Sequence, residues 1–310
     1  MTRQVSELAI VETRANKEQQ NRKSGFAYVK PKTVSAIVVH LAALAALFWA
    51  LFPILFVVSA AFNPAGTLST TDLLPRAFSI ANFQELLSSS SRPFGMWFLN
   101  SIVICLANSI IAVLIGALSA FAFSRLRFKG RRQGLMLLLL IQLFPGTLSF
   151  IALYMTFDKI GDVIPQIGLN TTAGLILAYS AGSMGANIWL LKGYFDTIPT
   201  EIDDAAAIDG ISHVRFFFQI IVPLTRPILV TVFILSFVSF YSEFMLAGLF
   251  LQDAGRQTLA VGLNAMLTAD RNVYFGQFCA GALLASIPVV VIYFMFQNEL
   301  TGGLTQGSVK

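Results

Sequence analysis

The chain has 310 residues, a formal net charge of +5 and a mean hydropathy of +0.73, with 56% of its residues hydrophobic and 12% charged. Soluble globular domains carry roughly 25% charged residues, so this composition excludes that class and defines an integral membrane protein. No GxxxxGKS/T, GxGxxG, HExxH or CxxC pattern occurs, so an enzyme reading lacks its usual frames for phosphate, dinucleotide, zinc or dithiol chemistry.

Residues 1–33 form a polar tail with seven basic and three acidic residues, read as a solvated segment. The apolar run that follows stands behind more than thirty polar-rich residues. It also exceeds the ~7–15 residues of a secretory h-region, so it reads as a span and not as a signal peptide. Stretches free of Asp, Glu, Lys and Arg cover 33–71, 93–124, 133–157, 163–191 and 272–298, and a sixth, 227–252, contains only Glu243. Each can hold the ~20 apolar residues that cross a bilayer core as a helix. The expected spans lie near 35–62, 98–123, 134–157, 172–192, 227–250 and 276–298, giving an all-α membrane body over 34–300 and a C-terminal tail over 301–310.

Basic residues gather on the cytoplasmic side of membrane proteins. The tail, the second connection (Arg125 to Arg132), the fourth connection (Lys192, Arg215, Arg226) and Lys310 hold 16 of the 21 Lys and Arg, which predicts both termini in the cytoplasm. Cys105 and Cys279 fall inside separate predicted spans and read as small buried hydrophobes, with no metal-ligand spacing around them. His40 and His213 stand without a Ser or Cys partner arranged for catalysis.

The fourth connection reads KGYFDTIPTEIDDAAAIDGISHVRFFFQIIVPLTR, from Lys192 to Arg226. Thr200 is a plausible N-cap with Asp203 three residues on, and Glu201, Asp203 and Asp204 fall in a first turn where the helix dipole favours negative charge. Ala205 to Ala207 continue the helix, and Gly210 permits a C-cap and a change of direction. Ser212 can cap a second short helix that Pro223 ends, with Phe216, Phe217, Ile220 and Ile221 as apolar anchors. Local physics allows two readings of this helix–turn–helix: an amphipathic connector whose acids are solvated caps, or a preformed knob whose small alanine face lets another protein approach.

The spacing acid-Ala-Ala, three residues, Gly, nine residues, Ile, one residue, aliphatic, Pro is met by Asp204, Ala205, Ala206, Gly210, Ile220, Val222 and Pro223. This resembles the EAA loop of the membrane subunits of bacterial ABC importers, with Asp204 and Val222 where that family usually has Glu and Leu. AFSRLRFKG at 122–130, IQLFPGTLSFIALYMTFDKIG at 141–161, IGLNTTAGLILAY at 167–179, LKGYFDTIP at 191–199, QTLAVGL at 257–263 and the ending GLTQGSVK extend the resemblance, to the MalG-type permeases of maltose and maltodextrin importers. The resemblance implies a type I importer permease with six spans whose loop 197–226 couples to an ATPase, with Asp209 beside Gly210 in the coupling set. It implies a homologous MalF-like permease, two MalK-like ATPase subunits that bind ATP and Mg while this chain binds no cofactor, and an extracytoplasmic sugar-binding protein facing residues 252–273. It also implies a tail, with Gln306, Gly307 and Lys310, that reaches the ATPases, and a place in a bacterial cytoplasmic membrane among lipid, with no nucleic-acid partner.

Inside the spans, Glu243 is the one carboxylate, and ionisable groups at membrane depth face a cavity or a partner. Glu243, Tyr241 and Asn187 are the candidate pathway residues, while Asn108 and Gln142 suit interhelical hydrogen bonds. Gly116, Gly174, Gly182 and Gly185 suit close helix approach, and Pro145 and Pro288 suit kinks. An ion-coupled secondary transporter using Glu243 is the rival class; it calls for an inverted repeat and broken mid-membrane helices, which the sequence does not display. A membrane scaffold without a transport role is the third reading.

Overall fold

The computed structural model describes residues 33–72, 77–182 and 186–306, with side chains over 38–69, 71–72, 77–182 and 187–299. The polar N-terminal tail, Arg76, Gly185, Gly307, Lys310 and the side chain of Gln306 lie outside the described residues. Two compact units are defined, Met1–Ile54 and Leu55–Lys310. The first holds the start of helix α1 (Thr33–Phe62), whose residues from Leu55 on belong to the second; every described side chain from Val38 to Ile54 is exposed, an apolar surface suited to acyl chains.

In the second unit the helices are α2 (Ala81–Ser88), α3 (Phe94–Arg125), α4 (Arg131–Gln142), α5 (Ser149–Val163), α6 (Thr172–Gly182) and α7 (Ala186–Phe195). They continue as α8 (Glu201–Ile208), α9 (His213–Leu224), α10 (Arg226–Ser242), α11 (Met245–Phe250), α12 (Leu259–Asp270) and α13 (Phe275–Gln306). The described residues contain no strand. With no water at membrane depth to satisfy free backbone groups, helices are the expected solution.

Helix α3 is the mast of this unit. It starts after Pro93, ends at the dipole-favoured Arg125, and buries a stripe at helical spacing: Phe94, Trp97, Ser101, Ile104, Cys105, Asn108, Ala112, Gly116, Ala117, Ala120 and Phe121. It enters all three core clusters. Phe94 and Trp97 pack with Leu259, Leu263 and Cys279; Ile104 with Leu175, Tyr179 and Phe250; Phe121 with Leu191, Phe195, Phe216 and Phe217. Gly116 lets α7 approach, since a Cβ there would stand 3.1 Å from Leu191 Cδ1 and 3.3 Å from Asn187 Cβ. Gly174 is likewise crowded, whereas a Cβ on Gly182 would meet nothing within 4 Å among the described residues.

Among the described residues, three helices are long and apolar enough to cross a membrane, and three bent helix pairs raise the possible spans to six. The expected spans near 134–157, 172–192 and 227–250 each contain an interruption, and the kink expected at Pro145 is one of them. Around Pro145 the first becomes α4 and α5, bent by 78° through a short 3-10 turn at Gly146–Leu148. The second is divided between α6 and α7, with residues 183–185 outside the described set. The third stops at Ser242 and restarts at Met245, so broken membrane helices do occur. Helix α13 runs through Pro288 to Gln306, past the 300/301 boundary expected for the tail.

Opposite ends of the bundle collect different polar partners. At one end Trp97 Nε1 donates to Ala254 O at 2.6 Å, and Asn100 Nδ2 donates to Gly255 O and Gln257 O at 3.1 and 3.0 Å. Asn170, with φ of 58°, donates to the Asp253 carboxylate and accepts from Arg256 Nη1 at 2.8 Å, closing the same loop. The other end carries Arg125, Arg131, Lys192 and Arg226, where Arg226 pairs with Glu299 at 2.9 Å; it is called the basic end below.

Candidate coupling site

At the basic end, the acidic stretch folds as the expected helix–turn–helix, α8, Gly210, α9. The caps are different from those expected. Thr200 is itself near-helical (φ −71°, ψ −16°) and makes no side-chain capping bond; its carbonyl accepts from Asp203 N and Asp204 N at 3.0 and 3.2 Å. Ser212 also caps through its carbonyl, taken by Phe216 N at 2.8 Å. The C-terminus follows the reading closely. Gly210 sits at φ +71°, Ile211 N donates to Ala206 O and Gly210 N to Ala207 O, which is the paired closure that a left-handed glycine makes possible.

Helix α8 has two faces. Ile202, Asp203 and Ala206, spaced i, i+1 and i+4, turn toward the bundle, and Ala206 is 5% exposed within the cluster of Phe121, Phe195, Phe216 and Ile221. Glu201, Asp204, Ala205 and Ile208 are exposed on the other face, with Ile208 87% exposed. The expected alanine face is therefore divided: Ala206 packs inside its own subunit, and Ala205 and Ala207 are free for another backbone. Asp209 and Gly210 are exposed at the tip, Ile220 is half-buried and Pro223 exposed on α9. Phe216, Phe217 and Ile221 anchor α9 in the bundle through a π-turn at Phe217–Ile221, and an 80° bend at buried Thr225 leads into α10.

Two polar ties hold this unit to α3. Ser124 Oγ donates to Asp196 Oδ1 at 2.6 Å, Lys192 pairs with the same carboxylate, and Arg131 Nη2 donates to Ser124 O. Burial pushes the Asp196 carboxyl upward, but hydrogen bonds from Lys192 and Ser124, with the charges of Lys192 and Arg131, outweigh it and hold the group below its ordinary value. The second tie is Arg125, whose Nη2 donates to Ile198 O at 2.8 Å and whose Nε lies 3.4 Å from Asp203 Oδ1. Arg125 Nε and Asp203 Oδ2 are buried without a hydrogen-bond partner among the described residues, so the two groups meet as an ion pair and not through a hydrogen bond. Burial accordingly raises the Asp203 carboxyl above its ordinary value, the Arg125 charge opposing it. Arg125 and Asp196 were not singled out from sequence; Asp196 stands four residues after Lys192, a spacing that pairs on a helix, while nothing local pairs Arg125.

Glu243 lies between α10 and α11. Its carboxylate accepts from Leu246 N at 2.8 Å and Ala247 N at 3.1 Å, and from the Tyr179 hydroxyl. From the position before the N-cap residue Phe244, its side chain closes the N-terminus of α11 and satisfies amides that the break in the helix frees. Asn187 Nδ2 donates to Ser236 Oγ at 3.2 Å, joining α7 to α10, and Ser180 Oγ donates to Asn108 Oδ1. Tyr241 stacks on Phe237 at 5.4 Å between ring centroids, and its hydroxyl is buried without a hydrogen-bond partner among the described residues. The three candidate pathway residues thus sit on different contacts.

A bundle interrupted at its membrane breaks, built around one long helix and presenting a bracketed helical knob at its basic end, defines a permease body. A family model for the binding-protein-dependent transport system inner membrane component matches residues 112–299. The chain is similar to the maltose/maltodextrin transport system permease protein MalG of Vibrio vulnificus strain YJ016, 38% identical over 282 residues, covering 87% of this chain and 94% of the relative. It is likewise similar to MalG of Escherichia coli K12, 36% identical over 297 residues, covering 92% and 99%. A crystal structure of a bacterial ABC transporter involved in the import of the acidic polysaccharide alginate contains a chain of the same fold, with a TM-score of 0.73, 20% identity and coverage of 88% and 99%. The chain belongs to the binding-protein-dependent transport system inner membrane component family, among its MalG-type ABC importer permeases.

Proposed function

We propose that this chain is the permease subunit of an ABC importer that carries maltose, maltodextrin or a related α-glucoside across a bacterial cytoplasmic membrane. The observation that carries the reading is the two-faced helix α8: one face is seated on α3, while Asp204, Ala205 and Ile208 stand free at a glycine-defined tip. The MalG relatives support the sugar class.

In this reading the basic end and both termini are cytoplasmic, and residues 34–300 form the membrane body. ATP and Mg are bound by two ATPase subunits, a homologous permease completes the pathway, and a sugar-binding protein meets the loop around residues 252–273. Asp204, Ala205, Asp209 and Gly210 seat in an ATPase cleft, Ala206, Ile220 and Pro223 set the shape of the loop, and Gln306, Gly307 and Lys310 lie toward the ATPases. ATP-driven closure moves the clefts, and the seated knobs carry the packed helices with them between inward- and outward-facing states. Glu243, saturated by two amides and a tyrosine hydroxyl, is poorly placed as an ion site.

Co-expression with the ATPase, second permease and binding protein from the same gene neighbourhood, followed by reconstitution with ATP inside the vesicles, tests the reading. Uptake of labelled maltose or maltotriose that requires both ATP and the binding protein is expected. Uptake driven by an ion gradient through this chain alone would sink it.

A further inference from the structure

Helix α8 has eight residues, and its covalent routes into the bundle are two short loops. Its remaining attachment is through one face, and that face meets the end of α3 twice: Ala206 enters the apolar cluster of Ala117, Ala120 and Phe121, and one turn earlier Asp203 meets Arg125. Arg125 is the last residue of α3, its side chain is 9% exposed, and it also holds the Ile198 carbonyl just ahead of α8. A buried guanidinium that donates to the entry-loop carbonyl and stands opposite the first-turn carboxylate fixes a short helix in position and in rotation more tightly than the apolar contacts of Ile202 and Ala206 by themselves. Helix α3 in turn crosses all three core clusters and holds, through Trp97 and Asn100, the loop at the opposite end.

We propose that Arg125 is a positioning residue for coupling: by bracing Asp203 and the Ile198 carbonyl it makes α8 move as one body with α3, so that force delivered to the knob enters the bundle through α3 and not only through the chain into α10. Removing Asp203 leaves the Arg125 guanidinium buried without a counter-charge, and removing the Arg125 charge leaves the partly exposed Asp203 without its partner, so single variants release the helix, while an exchanged pair restores the contact but not the Ile198 bond. The inference rests on the reading of α8 as a coupling helix, and its test has an arm independent of that reading.

Spin labels at the exposed Arg127 and Ile208 positions of the full chain in lipid nanodiscs, with Cys105 and Cys279 replaced by alanine, report the α3–α8 distance. A narrow distribution is expected for the parent, a broadened or bimodal one for Arg125→Gln and Asp203→Asn, and a narrowed one for the exchanged Arg125→Asp/Asp203→Arg pair. Distributions as narrow as the parent's in both single variants overturn the brace, whatever transport does. In the reconstituted complex, sugar taken up per ATP hydrolysed is expected to fall at least fivefold in Arg125→Gln and to recover by half or more in the exchanged pair and in Arg125→Lys. Unchanged stoichiometry in Arg125→Gln overturns the coupling role. A parent complex that imports no sugar defeats the proposed function and leaves the brace to be decided by the distance measurement.

Discussion

Two helices of this protein begin at carboxylates, and they use them in opposite ways. Helix α8 carries Glu201, Asp203 and Asp204 in its first turn, yet its N-terminus is closed by the Thr200 carbonyl and makes no side-chain cap. Helix α11 follows one carboxylate, Glu243, which takes two backbone amides and a tyrosine hydroxyl. At the polar end of the bundle, water can satisfy the first amides of a helix, so acids there need only be near the dipole. At membrane depth an unsatisfied amide is expensive, so the acid must reach it. The same residue type is an electrostatic bias in one place and a structural bond in the other.

The largest expected effect breaks the second of these. Glu243→Ala leaves two amides of α11 without an acceptor, a loss on the order of 2–5 kcal/mol, read as a lower thermal midpoint of the purified complex in detergent. Glu243→Gln, which keeps one acceptor oxygen, is expected to fall between parent and alanine variant; equal midpoints for all three would show that the carboxylate is not a cap.

Next in size is a contrast within α8. Ala206→Glu forces an unpartnered carboxylate among Phe121, Phe195 and Ile221 and is expected to cut the yield of folded subunit severalfold. Ala205→Glu, on the exposed face, is expected to leave yield unchanged while ATPase subunits no longer co-purify. If the two behave alike, the division of the alanine face is wrong.

A smaller effect isolates backbone conformation. A Cβ on Gly210 would meet nothing within 4 Å, so any cost comes from its φ of +71°. Gly210→Asn is expected to cost about 1 kcal/mol or less and Gly210→Val more, as seen in the rate of limited proteolysis at the loop.

The pH dependence comes next. Asp196 is held below its ordinary value in the folded chain, so its contribution is present above the unfolded-state pKa of about 3.9 and is lost as pH falls through the folded value. Between neutral pH and acid, the parent is expected to lose slightly more stability than Asp196→Asn, measured as the difference of their thermal midpoints at each pH. The smallest effect is at the caps: Thr200→Ala and Ser212→Ala are expected to change stability by less than about 0.5 kcal/mol, because neither side chain caps.

The membrane class, the long helices α1, α3 and α13, the α8–Gly210–α9 turn and the importer resemblance were legible because each rests on local information: hydropathy over twenty residues, one glycine, one spacing. The breaks were half legible. Pro145 announced a kink but not one of 78°, and nothing local in FYSEFML says that the helix stops for Glu243 to cap its continuation. Thr200 looked like a side-chain cap because its neighbours spell a capping box, but the preceding Pro199 turn already sets its backbone helical, which removes the geometry the side chain needs.

The sequence by itself therefore determined that this chain lives in a membrane, which of its segments are helical, where the chain bends between α8 and α9, and which family it resembles, since all of these follow from composition and short-range spacing. Only the tertiary structure decided which alanine of the motif faces inward, that Glu243 meets Tyr179 sixty-four residues away, and that Arg125 grips Asp203 across seventy-eight positions of chain. Those pairings depend on how helices are laid against α3, and a packing arrangement is a property of surfaces brought together, which no local pattern encodes.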